Sequence, residues 1–131
     1  MPKGNSDHQG VCCVFGARLF WGCLLILGCA MTPPPKGFID PGRLKDGIYE
    51  GSFRGGPNKA TVSVSITDRR ISRIVILEHQ AWRGRKAETP IVERIIAAQA
   101  TTVDAVSGAT NSSRVIMNAV QNAVEKAYSQ K

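Results

Sequence analysis

The stretch Ala60-Thr61-Val62-Ser63-Val64-Ser65-Ile66-Thr67 alternates apolar and polar residues without interruption. Successive side chains of a β-strand point to opposite faces of the sheet. The stretch is therefore predicted to form a half-buried strand, with its apolar members facing the core and its hydroxyls facing outward. Asp68-Arg69-Arg70 follows at once and is predicted to form a turn.

Two further strands are predicted on either side of this one. Residues 47–53 alternate apolar with small or polar residues, and the cluster 55–58 is predicted to turn the chain. Residues 71–79 are rich in β-branched side chains, with Ile74 and Ile76 on one face and Val75 and Leu77 on the other. Since both faces are apolar, we expect this strand to be covered on both sides. Three strands with short connections make an antiparallel meander.

The rest of the chain is predicted to form two helices separated by a short extended piece. Thr89-Pro90 is a typical helix start, and Val92, Ile95, Ile96 and Gln99 then share one side. Residues 102–106 are predicted to be a short strand. The last helix is expected to begin near residues 111–113 and has an apolar stripe between Val115 and Ala127. The fold class is therefore α+β: a three-strand antiparallel meander plus a short strand, packed with two helices.

The N-terminal region has the features of an export signal. Residues 19–28 are apolar, which is too short to span a bilayer but is typical of a signal-peptide core. The run ends in Ile26-Leu27-Gly28-Cys29, which resembles the bacterial lipobox, so lipidation of Cys29 is predicted. The expected organisation is a signal peptide (1–28), a lipid-anchored Cys with a Pro-rich spacer (29–45) and a folded domain (46–131). An uncleaved membrane anchor and a buried N-terminal helix are the alternatives.

Composition limits the function classes. The chain has 131 residues and a net charge of +7, with basic residues scattered rather than clustered. Neither a basic face nor a reading helix for nucleic acid is evident, so no nucleic-acid partner is expected. All four cysteines lie at or before Cys29. The mature domain is therefore expected to contain no disulfide and no cysteine-based metal site, and no metal is predicted.

The segment 104–113, Asp-Ala-Val-Ser-Gly-Ala-Thr-Asn-Ser-Ser, combines small residues and hydroxyls at the start of the last helix. The first amides of a helix lack helical partners and lie at the positive end of its dipole, so this position favours an anion. Gly108 allows close approach of the backbone. From the residues alone, two interpretations remain: a phosphate site near Thr110, or a capped helix start with no ligand.

Asp104-Ala-Val-Ser-Gly-Ala-Thr110 resembles the flavinylation motif of the FMN-binding domain family. That family includes flavin-carrying subunits of the Rnf complex and of the sodium-translocating NADH:quinone oxidoreductase, as well as small lipoproteins. The resemblance covers about residues 46–128. It includes Asp46-Gly-Ile-Tyr-Glu-Gly51, the pattern from Val62 to Ile76, the pair Glu78-His79 and the closing helix.

The resemblance implies that a flavin transferase takes FMN from FAD and links its phosphate to Thr110 as a phosphoester. It also implies recognition and phosphate-loop positions at Asp104, Ser107, Gly108 and Ala109. Ser112 and Ser113 either donate to the phosphate or cap the helix. The sequence departs from the family after His79, which is either a satisfied polar residue or a ligand contact. In that departure, Trp82 either stacks on the flavin or packs on the sheet.

The function expected from these features is electron transfer by a membrane-anchored flavoprotein of the bacterial cell envelope, outside the cytoplasm. The chemistry belongs to FMN, so an electron carrier is expected rather than an enzyme with its own substrate. The expected partners are the transferase during maturation, redox proteins or a quinone-linked membrane complex, and the membrane itself. The alternatives are a module that binds FMN without a covalent bond and a scaffold lipoprotein without a cofactor.

Overall fold

The computed structural model describes residues 32–81 and 84–129. The predicted signal peptide, Cys29 and Trp82 lie outside these residues. The described elements are three strands, β1 (Gly47–Gly55), β2 (Asn58–Thr67) and β3 (Arg70–Gln80), followed by a 3-10 turn (Arg85–Ala87) and two helices, α1 (Glu88–Ala98) and α2 (Thr110–Ser129). The α+β class, the antiparallel meander and the two helices are confirmed.

β2 is the central strand, and its alternating apolar and polar residues determine which face of the sheet packs against the core. It pairs antiparallel with β1 and β3, with Val64 opposite Tyr49 on one side and Ile74 on the other. The predicted inward residues of β2 are all buried: Ala60, Val62, Val64 and Ile66. The β2–β3 turn has positive φ at Asp68 and Arg69. Two such residues in succession match the twist of a tight hairpin.

The sheet is covered on one face among the described residues, so the expectation of a doubly covered β3 is wrong. Both helices lie on the face that carries Ile74. On the opposite face Val75 and Leu77 remain 40% and 53% exposed. Residues 32–81 and 84–129 contain two α-helices, and both pack on the inner face.

α1 begins earlier than predicted. Its first residue is Glu88, and Thr89 is inside the helix rather than at its cap. The 3-10 turn leads directly into the helix, with Ala87 N donating to Gly84 O at 3.0 Å. Pro90 is tolerated because the first-turn N–H groups of a helix have no helical acceptor in any case. The inward residues of α1 are Ile91 and Ile95.

The short strand predicted at residues 102–106 is not formed. The segment contains no strand residue, and two of its backbone amides donate to side chains of α2 instead. Val103 N donates to Met117 Sδ at 3.4 Å, and Val106 N donates to Ser113 Oγ at 3.0 Å. Side-chain acceptors on a neighbouring helix thus take the place of the backbone hydrogen bonds that a strand forms with its partner strand.

α2 lies across β1 and β2 at very short range. A Cβ added at Gly51 would overlap the carbonyl oxygen of Ala119 and lie 2.5 Å from Ala123 N. The helix is able to approach so closely because alanines recur at 119, 123 and 127, all fully buried. The apolar stripe predicted from the sequence is therefore confirmed as the face that contacts the sheet.

The segment ahead of β1 lies against the domain. Ile39 and Leu44 belong to the core, and Thr32 is 3% exposed. We refer to residues 32–40 as the N-terminal strap, because they run along α2 and are bound to it and to its neighbours by backbone and side-chain hydrogen bonds. Among residues 32–81 and 84–129, the helices are too short or too polar to cross a membrane.

Candidate functional site

The loop that leads into α2 is fixed by its own hydrogen bonds. Gly108 has φ +72°, in the left-handed region that favours glycine, and Ala109 N donates to Val106 O at 2.9 Å. The hydroxyl of Ser113 donates to Ala109 O at 2.9 Å and accepts from Val106 N. Ser113 is fully buried, so it fixes the loop from the interior of the protein and does not line the cavity described next.

Thr110 is the first residue of α2 and lies at the mouth of a cavity of about 410 Å³. The cavity is lined by Asn58, Gly84, Gly108, Ala109, Thr110, Asn111 and Ser112. The bond from Ser113 N to Ala109 O, 2.9 Å long, closes the first helical turn. The amides of residues 110–112 precede it and lack helical acceptors. The cavity therefore has an exposed hydroxyl and the positive end of a 20-residue helix at one wall.

Gly84, just before the 3-10 turn, also lines the cavity. A Cβ added at Gly84 would overlap Ser112 Oγ, so the loop backbone rests directly on the first turn of α2. A Cβ added at Gly108 would lie 3.0 Å from Lys86 Nζ, which places this ammonium beside residues 104–109, the loop that leads into α2. Lys86 forms no salt bridge within the described residues. Its charge is therefore free to act on an anion held near Thr110.

Lys59 follows the cavity residue Asn58 on β2, and its ammonium already forms a salt bridge. Its Nζ donates to Glu78 Oε2 at 2.9 Å. This hydrogen bond and the positive charge lower the pKa of the exposed Glu78 carboxyl below its ordinary value of 4.5. Lys59 thus offers less uncompensated charge to a ligand than Lys86.

The N-terminal strap reaches the same end of α2. Thr32 Oγ1 donates to Asn111 Oδ1 at 2.6 Å, between residues 79 positions apart in the chain. Asn111 Nδ2 in turn donates to Gly55 O at 3.4 Å. Asn111 thereby joins the strap, the end of β1 and the start of α2, and it fixes the residue next to Thr110.

Two predicted motif residues lie away from the cavity. Asp104 is exposed and borders a different depression with Arg94, Ala97 and Ala98. Its main-chain oxygen accepts a hydrogen bond of 2.5 Å from Arg94 Nη1. Ser107 is exposed in the turn before Gly108 and does not line the cavity. The structure therefore groups Gly108, Ala109, Thr110 and Ser112, while Asp104 and Ser107 face solvent.

His79 is enclosed behind the site rather than within it. Its side chain is 2% exposed, and Nδ1 lies 2.8 Å from Glu88 Oε1 at the start of α1. Nε2 is buried and has no hydrogen-bond partner among the described residues. His79 does not line the cavity beside Thr110. Its observed contact links β3 to α1.

Four residues at this site were not identified from the sequence: Asn58, Gly84, Lys86 and Asn111. Asn58 lies in the predicted turn 55–58, and Gly84 and Lys86 lie in a polar, basic stretch between β3 and α1 that is typical of a loop. Asn111 was a candidate helix cap only. These residues belong to loops or to the ends of elements, so no repeating pattern of apolar residues identifies them. They come together because the β1–β2 turn, the segment between β3 and α1 and the start of α2 lie side by side in the fold.

Comparison with known proteins gives two matches. Residues 55–125 match the sequence model of the FMN-binding domain family, which is more than half of the chain and includes the whole cavity wall. An uncharacterized protein of Treponema pallidum (strain Nichols) is 33% identical over 92 residues, or 66% of this chain. The match covers 24% of that relative, so this chain spans about a quarter of its length.

Proposed function

The chain belongs to the FMN-binding domain family and takes FMN as its cofactor, and on that premise we propose that it carries electrons on an FMN linked covalently to Thr110. The observation that carries the proposal is the position of the Thr110 hydroxyl. It is exposed at the first residue of α2, in a cavity that faces the unpaired amides of that helix.

The residues present fit a flavin phosphate. Gly108 leaves room where a side chain would meet Lys86, and three amides at the start of α2 have no helical acceptor. Backbone N–H groups at a helix start and a nearby ammonium together make a suitable environment for an anionic phosphate. A cavity of about 410 Å³ falls within the usual range for small-molecule sites.

Attachment is a single group transfer during maturation. The Thr110 Oγ–phosphorus bond forms, the phosphoanhydride bond of FAD breaks, AMP leaves and the hydroxyl proton passes to solvent or to a base of the transferase. Thr110 would supply only its hydroxyl, and the helix amides and Lys86 would hold the phosphate afterward. Ser113 keeps the loop in place through its two hydrogen bonds and needs no contact with the flavin.

When bound, the isoalloxazine ring accepts and releases one or two electrons, and this is the chemistry that the cofactor supplies. The chain's own residues would hold the flavin: Gly84 lies directly on Ser112 at the helix start, and Asn58 and Asn111 also line the cavity. We place the protein at the bacterial cell envelope, with the flavin transferase and redox proteins or a quinone-linked membrane complex as its partners.

The proposal is tested by the intact mass of the protein expressed with and without an active flavin transferase. We expect the transferase to add the mass of one FMN less one water, and the modified protein to fluoresce after heating in SDS. Fluorescence that disappears on denaturation would instead support reversible FMN binding. A protein with no flavin in either state would support a scaffold role.

Replacing Lys86 with alanine is expected to weaken FMN binding and slow attachment. Hydrogen bonds to charged groups contribute about 1.5–3 kcal/mol, and because Lys86 is exposed we expect the lower end of this range, a loss of roughly tenfold. The measurement is FMN affinity of the unmodified protein at fixed ionic strength, by fluorescence titration.

Arg85→Ala is the matched control for Lys86→Ala. Arg85 is also exposed and lies in the same 3-10 turn, and its replacement removes the same charge, but Lys86 and not Arg85 is the side chain next to Gly108. We expect the Arg85 variant to stay close to wild type. Equal losses in the two variants would show that only net charge matters and that Lys86 has no direct contact with the phosphate.

The membrane anchor is a separate part of the proposal and rests on the resemblance of residues 26–29 to a lipobox. Cys29→Ala is expected to abolish lipidation and leave an uncleaved precursor. Phase partitioning in detergent and the mass of the N-terminal peptide measure both effects. Wild-type protein recovered without lipid and with an intact N-terminus would contradict the anchor but leave the flavin site unaffected.

A further inference from the structure

The N-terminal strap runs the length of α2. Near the end of that helix, Asp40 N donates to the Tyr128 hydroxyl at 2.8 Å. Toward the start of the helix, Asn118 Nδ2 donates to Pro33 O at 2.8 Å. Followed toward its N-terminus, the strap therefore leads from the last turn of α2 to its first turns.

The strap ends beside the flavin site. Thr32 is buried and donates to Asn111 Oδ1 at 2.6 Å, and its carbonyl accepts from Arg114 Nη1 at 3.2 Å. Asn111 is the neighbour of Thr110 in the first turn of α2. A Cβ added at Gly55 would overlap Thr32 Oγ1, so the strap is pressed onto the end of β1 as well. Any segment that precedes Thr32 therefore joins the domain at the Thr110 end.

Resting on the lipid anchor proposed above, we propose that the Thr110 end of the domain is the surface that docks on the lipid bilayer. Cys29 precedes Thr32 by three residues, and a chain of that length spans at most roughly 11 Å. A tether this short, joined to a bound strap, brings the Thr110 cavity to the membrane surface. It follows that the redox partner of the flavin meets it at the bilayer.

Charge is compatible with this orientation. The Thr110 end carries basic side chains that have no salt-bridge partner within the described residues: Arg54, Arg85, Lys86 and Arg114. A basic residue near an anionic membrane surface contributes about 1 kcal/mol. The opposite end of the sheet is also basic, with Arg69, Arg70 and Arg73. The tether and not the charge therefore decides which end faces the lipid.

Two cysteine reporters at opposite ends of β2 test the orientation. Asn58 lies at the Thr110 end and Thr67 at the other, about 30 Å away along a strand of this length. Asn58→Cys and Thr67→Cys are made separately in the full chain, and the mature protein is produced without transferase. Lipid blocks the Cys29 thiol, and no natural cysteine follows it, so a thiol-reactive fluorophore labels only the introduced residue.

The labelled proteins are reconstituted into vesicles of phosphatidylcholine and phosphatidylglycerol that contain a head-group spin label. We expect the fluorophore at residue 58 to be quenched severalfold more than the one at residue 67. A flexible insert of about 30 Gly and Ser residues between Met31 and Thr32, which spans roughly 30 Å, should remove this difference. The same insert appended after Lys131 is the control and should preserve it.

Equal quenching at the two positions, or stronger quenching at residue 67, would overturn the orientation. Quenching at residue 58 that survives the insert before Thr32 would overturn the role of the short tether. Protein that does not bind the vesicles would overturn the anchor and the orientation together. Because these proteins carry no covalent flavin, a failure of covalent attachment at Thr110 would be detected separately, by the mass measurement.

Discussion

Thr110→Ala is expected to abolish covalent flavin labelling entirely. The substitution removes the oxygen that forms the phosphoester, and no change elsewhere in the cavity supplies another at the same position. The expected result is loss of the fluorescent band in SDS gels and loss of the added FMN mass, in a protein expressed beside an active transferase. The carbonyl of Ala109 accepts the first helical hydrogen bond, so Ala109 is at the N-cap position and alanine at position 110 removes no cap. The variant is therefore expected to fold, since a typical domain has about 5–15 kcal/mol of stability.

Two substitutions serve as controls for Thr110→Ala. Thr110→Ser retains a hydroxyl and is expected to keep part of the labelling. Thr89→Ala removes the same atoms from an exposed threonine of α1, outside the cavity, and is expected to label like wild type. Unfolding is checked by circular dichroism for each variant. A Thr110→Ala protein that folds and is still covalently fluorescent would show that the flavin is attached elsewhere.

Gly51→Ala is expected to produce the largest loss of stability. The added methyl would overlap the carbonyl oxygen of Ala119 and lie 2.5 Å from Ala123 N. Both atoms belong to the backbone of α2, so they cannot move aside as a side chain can. Overpacking of a core typically costs about 1–3 kcal/mol, and this contact belongs at the upper end. For a domain of this size the melting temperature is expected to fall by roughly 10–20 °C.

Ser52→Ala is the neighbouring control on β1. Ser52 is exposed, and the hydrogen bond that Asn122 Nδ2 donates to it uses the main-chain oxygen, which alanine retains. We expect its thermal unfolding to differ from wild type by only a few degrees. A Gly51→Ala protein as stable as the Ser52 variant would show that α2 does not lie as close to β1 as the structure places it.

Local patterns in the sequence were sufficient to predict the framework of the fold. The alternation from Ala60 to Thr67 identified the central strand and its buried side chains, and the turn at Asp68-Arg69 followed from its polarity. The apolar stripe of α2 predicted which face of the helix meets the sheet. These predictions succeeded because neighbours in the chain determine whether a repeat of two or of 3.6 residues buries one continuous face.

The predictions that failed depended on contacts between distant segments. Val75 and Leu77 are apolar, but whether a second layer covers them is decided by the number of helices available and not by their own pattern. The segment 102–106 has the composition of a strand, yet it lies beside the side chains of α2 instead of another strand. Thr89 has the residue type of a helix cap, but the preceding 3-10 turn extends the helix beyond it.

For the candidate site, local residue types were enough to predict the loop and the hydroxyl: Gly108, Ala109 and Thr110 at the start of a helix. Only the tertiary structure brought Asn58, Gly84 and Lys86 to that hydroxyl and placed Thr32 beside Asn111. The physical reason is that a helix start is specified by adjacent residues, through backbone conformation and capping. The walls of a cavity depend on which loops and element ends lie next to one another. Their positions follow from the register of the three strands and from the close approach of α2 to the sheet at Gly51.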